Sequence, residues 1–242
     1  SMLGHESHLK LKSRVESGEI KGPRMFISGP SLNGNSVADP EAGRQMVRDQ
    51  KAAGYDHLKL HPGLDTPKFL AIADEAKKVG IYYGGHVSMD VGLVTSLTNG
   101  YRSVEHIDGY LEAMITDKSK LDPTKSGPFN MLAVGDVDMS LLPGLIDLTL
   151  EKKAFIAPTM TLFERYFGYQ PAYELRQQPE MFYLPGQLVT QWFNTKTQLE
   201  GSGVLAEDKV KPYLEFRQKL FLELHNAGVP MIMSSESPQV FN

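Results

Sequence analysis

The feature that most constrains this chain is a junction that recurs along it: a helical stretch ends on a small residue and a glycine, and a short apolar run follows at once. Ala53-Gly54 precedes Tyr55-Asp56-His57-Leu58-Lys59-Leu60, Val79-Gly80 precedes Ile81-Tyr82-Tyr83, Asn99-Gly100 precedes Tyr101-Arg102-Ser103-Val104, and Ala227-Gly228 precedes Val229-Pro230-Met231-Ile232-Met233. Glycine ends a helix by turning left-handed after its last turn, so each strand starts without a long loop. Helix followed by strand, repeated, is the signature of a parallel α/β sheet. Helix starts fit the scheme, because Asp39-Pro40 and Thr66-Pro67 place a capping side chain ahead of a proline suited to the first turn. In the second of these helices Phe69, Leu70, Ala73, Ala76 and Lys77 give the face at helical spacing.

This reading predicts strands near 24–28, 56–60, 81–86, 102–106, 154–158 and 230–234, and helices near 40–53, 67–79, 90–99, 140–152 and 206–227. The first four strands recur every ~20–30 residues, roughly one βα unit of an eight-unit barrel. A chain of 242 residues, 41% hydrophobic, suffices for one such core, so a single domain over 1–242 is the expectation. Two stretches break the rhythm. Residues 107–139 are loop-rich, and an insertion at about 160–205 is crowded with Phe163, Tyr166, Phe167, Tyr169, Tyr173, Phe182, Tyr183, Trp192 and Phe193. That segment is either a lid over a pocket at the barrel mouth or a small core packing on itself.

Charge narrows the partners. Lys and Arg number 25 against 29 Asp and Glu, a net charge of −4, with no dense basic stripe, which argues against nucleic acid and against an anionic membrane. No apolar run is long enough to span a bilayer, so a soluble chain is expected, its compartment unassigned. With no cysteine, a thiol nucleophile and a Cys-ligated zinc are excluded, and any metal chemistry falls to His, Asp, Glu and Lys. A nucleotide-binding doubly wound sheet ranks low, since no strand is followed by Gly-x-Gly-x-x-Gly.

Three predicted strands carry an unusual residue at or near their ends: Lys59 within Leu58-Lys59-Leu60, His86 after Tyr82-Tyr83-Gly84-Gly85, and His106 after Ser103-Val104-Glu105. In a (β/α) barrel the C-terminal strand ends converge on one mouth, so groups 27 and 20 positions apart in sequence meet in space. A strand-end histidine alone is more often structural than a ligand, and a strand lysine more often an edge residue; in register together they point to a site. His61 lies two positions beyond Lys59, on the same strand face, and is a candidate to touch substrate or to serve the loop at Pro62-Gly63. His5 and His8 are expected to be surface groups on a poorly ordered start.

The stretches Gly54-Tyr55-Asp56-His57-Leu58-Lys59-Leu60, Gly85-His86 and Ser103-Val104-Glu105-His106 resemble the strand 4, 5 and 6 motifs of the amidohydrolase superfamily. Gly22-Pro23-Arg24 leading to Ser28-Gly29-Pro30 is similar to its imidazolonepropionase-like and prolidase-like branch. The resemblance implies an α/β fold of (β/α)8 TIM-barrel type and a metal-dependent hydrolase of amide or peptide bonds, dipeptidase- or carboxypeptidase-like, acting by attack of metal-activated water. It implies that Lys59 takes up carbon dioxide as a carbamate and bridges divalent cations, zinc foremost, with His86 and His106 as further ligands.

By the same resemblance Glu236, in Met233-Ser234-Ser235-Glu236-Ser237-Pro238, stands where the family has a strand 8 Asp that binds metal and accepts a proton. Tyr83 and His61 would contact a small-molecule or short-peptide substrate, with Arg102, Arg165 and Arg176 as further candidates for its carboxylate. The chain departs from the pattern in having Glu for Asp and no His-x-His pair; His5-Glu6-Ser7-His8 is spaced His-x-x-His. The expectation is therefore an incomplete barrel, with about strands 3–8 present and the first two strands, last helix and flanking β-domain absent. Its exposed edges would favour a homo-oligomer. The alternative is a catalytically incompetent barrel fragment that folds or oligomerises and binds at most one metal.

Overall fold

The computed structural model describes residues 4–122, 124–236 and 239–241. Its elements in chain order are α1 (Glu6–Glu16), α2 (Pro40–Ala53), β1 (His57–Leu60), α3 (Thr66–Val79), β2 (Tyr82–Gly85), α4 (Leu93–Thr98), β3 (Ser103–Glu105), α5 (Tyr110–Ala113), α6 (Leu142–Glu151), β4 (Phe155–Ala157), α7 (Met160–Arg165), α8 (Ala172–Leu175), α9 (Gly186–Gly201) and α10 (Glu207–Asn226). The chain forms two compact units, Ser1–Ala113 with Asp147–Phe155, and Met114–Ile146 with Ile156–Asn242.

The strands form one sheet in the order β1-β2-β3-β4, of which β1, β2 and β3 belong to the first unit. His57 pairs with Tyr82 and Leu60 with Gly85, while Gly84 and Gly85 pair with Ser103 and Val104. Where β4 begins, the Phe155 N–H donates to the Arg102 carbonyl (3.0 Å). The glycine junctions act as the sequence requires: Gly54 (φ 90°) and Gly80 (φ 67°) are left-handed and close α2 and α3 with N–H donations back into the last turn. Asp39 caps α2 by accepting from the Ala42 N–H (2.8 Å). At α3 the cap is Asp65, not Thr66, because the Asp65 carboxylate reaches the Lys68 N–H (2.9 Å) and Thr66 is already helical.

The buried face of α3 is also set differently from the expectation. Phe69, Ile72, Ala73 and Ala76 point inward at i, i+3, i+4 and i+7, and Leu70 is exposed. Phe69 meets Tyr83 and Tyr101 at centroid separations of 6.3 and 6.2 Å, with Tyr83 and Tyr101 edge to face at 5.6 Å. Gly43 permits α2 to approach α3, since a Cβ there would lie 3.0 Å from Ile72. His5 and His8, expected to be surface groups, do lie at the surface and form a reciprocal cap at the head of α1: the Ser7 N–H donates to His5 Nδ1 and the His5 N–H to His8 Nδ1, each 3.2 Å.

Two predicted strands are not regular strands. Residues 24–28 form only the isolated bridge Ser28 to His57, followed by Leu32 to Leu60, because Gly29-Pro30 interrupts the ladder and proline has no N–H to give. In the second unit, 230–234 makes the single bridge Met231 to Ile156, with Pro230 supplying a carbonyl to the Ile156 N–H (2.9 Å) and no donor.

The aromatic insertion lies in the second unit and packs there both on itself and on residues outside it. Ala172, Leu175, Met181, Val189, Trp192, Val240 and Phe241 form one buried cluster, and Phe129, Phe163 and Phe167 another at centroid distances of 4.9 to 5.8 Å. Phe182 and Tyr183 remain 85% and 90% exposed. Two buried cations organise this unit. The Arg217 guanidinium lies 3.4 Å from the Phe163 ring centroid and donates to the Pro158 carbonyl (3.0 Å). The Lys196 ammonium donates to the carbonyls of Gly168 (2.7 Å) and Tyr166 (3.1 Å), and burial lowers its pKa to about 8. No helix among the described residues is long and apolar enough to cross a membrane.

Candidate metal centre

The parallel register of the first unit sets three consecutive strand ends side by side, and each is followed by a histidine. His61 follows β1, His86 follows β2 and His106 follows β3. Their rings form a row, with centroids 5.0 Å apart for His61 and His86 and 4.4 Å for His86 and His106. Backbone bonds fix the first two: the His61 N–H donates to the Leu32 carbonyl (2.9 Å) and the His86 N–H to the Leu60 carbonyl (3.0 Å). The Tyr101 hydroxyl donates to the His86 carbonyl (2.6 Å). His106 and Ile107 hold successive left-handed conformations (φ 59° and 57°) that side chains with a Cβ rarely take. Strain of this kind is retained where the surroundings over-determine a site.

Beneath the row lies a buried ion pair. Lys59 is 1% exposed and Glu105 4% exposed, and the Lys59 ammonium meets the Glu105 carboxylate. Gly85 makes room for this reach. At φ 132° it takes a conformation closed to other residues, and a Cβ there would stand 3.0 Å from Lys59 Cδ and 2.3 Å from the Leu60 carbonyl oxygen. His86 Nδ1 bonds the Asp108 carboxylate at 2.7 Å, and His61 Nδ1 bonds the Ser31 hydroxyl at 2.7 Å.

The structure thus brings Lys59, His61, His86 and His106 together in the first unit and adds Glu105, Asp108 and Ser31, which the sequence reading did not select. Glu105 sat unremarked inside the Ser103-Val104-Glu105-His106 motif; one position before a strand-end histidine, it was legible as a buried charge. Asp108 carries no local signal. Tyr83 lies elsewhere: its hydroxyl donates to the Asn99 carbonyl at the C-terminal cap of α4, before β3 begins, and burial pushes its pKa up. Among the sequence candidates for carboxylate binding, Arg102 lies over the Tyr82 ring and Arg165 pairs with Glu180. Glu236 lies in the second unit, half-buried and left-handed (φ 64°).

Among the described residues no group of three or more His, Cys, Asp and Glu is arranged to hold a metal ion. One pairing there is of the kind that accompanies a metal-bound imidazole. A ligating imidazole characteristically gives its second nitrogen to a carboxylate, as His86 does to Asp108. His106 supplies a neighbouring buried imidazole. Lys59 as an ammonium is a countercharge for Glu105; only an anionic form of its nitrogen, such as a carbamate, would join the donor set.

His61 is held neutral. Burial first, then the positive field of Lys59 and of His86, lower its pKa to about 4. Between about pH 6.5 and 4 the unfolded chain therefore binds a proton there that the folded chain refuses, so stability falls as pH drops through that window. Urea denaturation at pH 7 and pH 5 checks this: a His61→Phe variant is expected to lose less stability between the two than the parent, and an equal loss in both removes His61 as the cause.

No family model matches the sequence, and no curated protein matches it. Solved structures do. The chain has the α/β fold of amidohydrolases and prolidases, with a four-stranded parallel sheet as in part of a (β/α) barrel. It is similar to bottromycin amidohydrolase (TM-score 0.64, 17% identity, 99% of this chain and 52% of that one). It also resembles a Xaa-Pro dipeptidase with bound methionine in its active site (TM-score 0.56, 14%, 97% and 53%). A third likeness is to a prolidase complexed with N-methylphosphonate-L-proline (TM-score 0.50, 19%, 93% and 51%). The chain spans about half the length of these proteins.

Proposed function

We propose that this protein is a hydrolase of amide or peptide bonds, dipeptidase- or carboxypeptidase-like, that works with a divalent cation. The observation that carries the reading is the row of imidazoles at three consecutive strand ends, with Asp108 behind His86 and a fully buried lysine beneath. The likeness in fold to amidohydrolases and prolidases supports it. In this reading β1, β2 and β3 are strands 4, 5 and 6 of the barrel.

His86 and His106 would hold the cation, Lys59 joins them as a carbamate, and nitrogen and oxygen donors suit zinc. When bound, such an ion polarises the substrate carbonyl and makes water an effective nucleophile near neutral pH. The chain's own residues do the rest. Asp108 orients the His86 ring by accepting from its Nδ1–H. His61, neutral across the working range, offers a hydrogen bond to the substrate. The substrate class is a short peptide or N-acyl amino acid.

The test is metal content and hydrolysis on the purified chain. Elemental analysis after zinc loading is expected to give about one ion or more per chain. A panel of dipeptides and N-acyl amino acids is expected to include at least one that is cleaved, with cleavage lost on chelation and restored by zinc. A folded protein that takes up no divalent ion and cleaves nothing in the panel overturns the reading.

A further inference from the structure

The loop before α2 fixes the direction of a hydrogen-bond chain that ends on His61. Asn33 Oδ1 accepts from two backbone N–H groups, those of Asn35 (2.8 Å) and Ser36 (3.0 Å). Those donors settle which way the amide faces, because an NH2 group there would meet two hydrogens. The amide therefore turns Nδ2 toward Ser31, and donates to its Oγ at 3.2 Å. A hydroxyl that accepts from Asn33 still has its own hydrogen to place. The acceptor within its reach is His61 Nδ1, at 2.7 Å. With the Ser31 O–H placed on the ring, Nδ1 presents a lone pair. A neutral imidazole with an unprotonated Nδ1 carries its hydrogen on Nε2.

We propose that Asn33 and Ser31 are positioning residues that lock His61 as the Nε2–H tautomer, making it a fixed hydrogen-bond donor to an oxygen of the substrate carbonyl, rather than a third imidazole ligand. A nitrogen that carries hydrogen has no lone pair to give a cation, so the row divides by role. His86 is turned by a carboxylate and His61 by a hydroxyl, and these two partners impose opposite tautomers. The His61 ring touches that of His86, so its donor stands beside the proposed cation site. Such a donor, aimed before substrate arrives, favours negative charge developing on the carbonyl oxygen. The substrate half of this assignment rests on the hydrolase reading; the tautomer half does not.

Long-range 1H–15N correlation spectra of the 15N-labelled chain, without metal or substrate, read the tautomer. His61, assigned by its absence in a His61→Gln sample, is expected to show Nδ1 unprotonated and Nε2 protonated. A protonated Nδ1 overturns the proposal. Ser31→Ala is expected to move the pattern toward averaging between tautomers while Ser31→Thr keeps it; an unchanged pattern in Ser31→Ala removes Ser31 as the cause.

On the zinc-loaded protein, Ser31→Ala is expected to lower kcat/KM by about 10-fold, the value of one well-placed hydrogen bond, with Ser31→Thr restoring it. The parent tautomer seen in the spectrum together with unchanged kcat/KM in Ser31→Ala overturns the substrate role alone. A parent protein that cleaves nothing overturns the hydrolase reading and the substrate role together, with the tautomer still decided by the spectrum.

Discussion

Glu105→Ala is expected to destabilise the first unit by about 3–5 kcal/mol, the cost of removing one member of a buried ion pair. The Lys59 ammonium is 1% exposed and its carboxylate countercharge on β3 is 4% exposed, so water cannot replace what the substitution removes. Replacing both members together, Lys59→Met with Glu105→Leu, is expected to recover most of the loss, since a desolvated pair contributes little net stability over well-packed apolar groups. Urea denaturation of the parent, the single variant and the double variant measures this. A single-variant loss below about 1 kcal/mol means the pair is not buried as described. The same pair bears on function: a carbamate on Lys59 is an anion, which Glu105 repels, whereas the ammonium is what Glu105 holds. Added bicarbonate is accordingly expected to narrow the gap between the parent and Glu105→Ala if Lys59 takes up carbon dioxide.

His86→Ala and His106→Ala are each expected to abolish stoichiometric zinc uptake and with it hydrolysis, by about 100-fold or more, while far-ultraviolet circular dichroism stays that of the parent. Asp108→Ala, which leaves both imidazoles in place, is expected to weaken zinc binding by about 10–100-fold, the usual consequence of removing the partner that orients a ligand. The graded order matters more than either loss alone. A structural role for all three residues predicts parallel falls in stability and activity. A metal site predicts that Asp108→Ala regains activity at high zinc concentration and that the histidine variants do not. Equal zinc uptake by parent and His106→Ala would place the cation elsewhere.

Much of the first unit was legible because it rests on local rules. Gly54 and Gly80 end their helices where a left-handed residue was needed, and Asp39-Pro40 starts α2 as its chemistry dictates. Periodicity fixed the register of α3 only to within a residue: Ile72, not Leu70, joins Phe69 in the core, a distinction that depends on which neighbouring helix covers the face. Strands at 24–28 and 230–234 read as apolar runs, but Pro30 and Pro230 each withhold a donor, and the ladder shrinks to single bridges. In the site, Lys59, His86 and His106 were visible because each sits at or near a strand end. Tyr83 is a substrate candidate by resemblance only, and its side chain lies in the core beside Phe69 and Tyr101.

What the sequence by itself determined is the grammar of the first unit: parallel strands separated by glycine-ended helices, with basic and imidazole side chains arriving at the strand ends. Strand order, and hence which of those ends are neighbours, is set by long-range pairing that no local window contains. The β1-β2-β3 register decided that Lys59 would reach Glu105 across the bare backbone of Gly85 and that Asp108 would stand behind His86, and the bridge from Leu32 to Leu60 brought a loop serine some 30 residues upstream to His61. Those contacts are properties of chain segments brought together in three dimensions, and hydrogen-bond direction is decided only once both partners are in place.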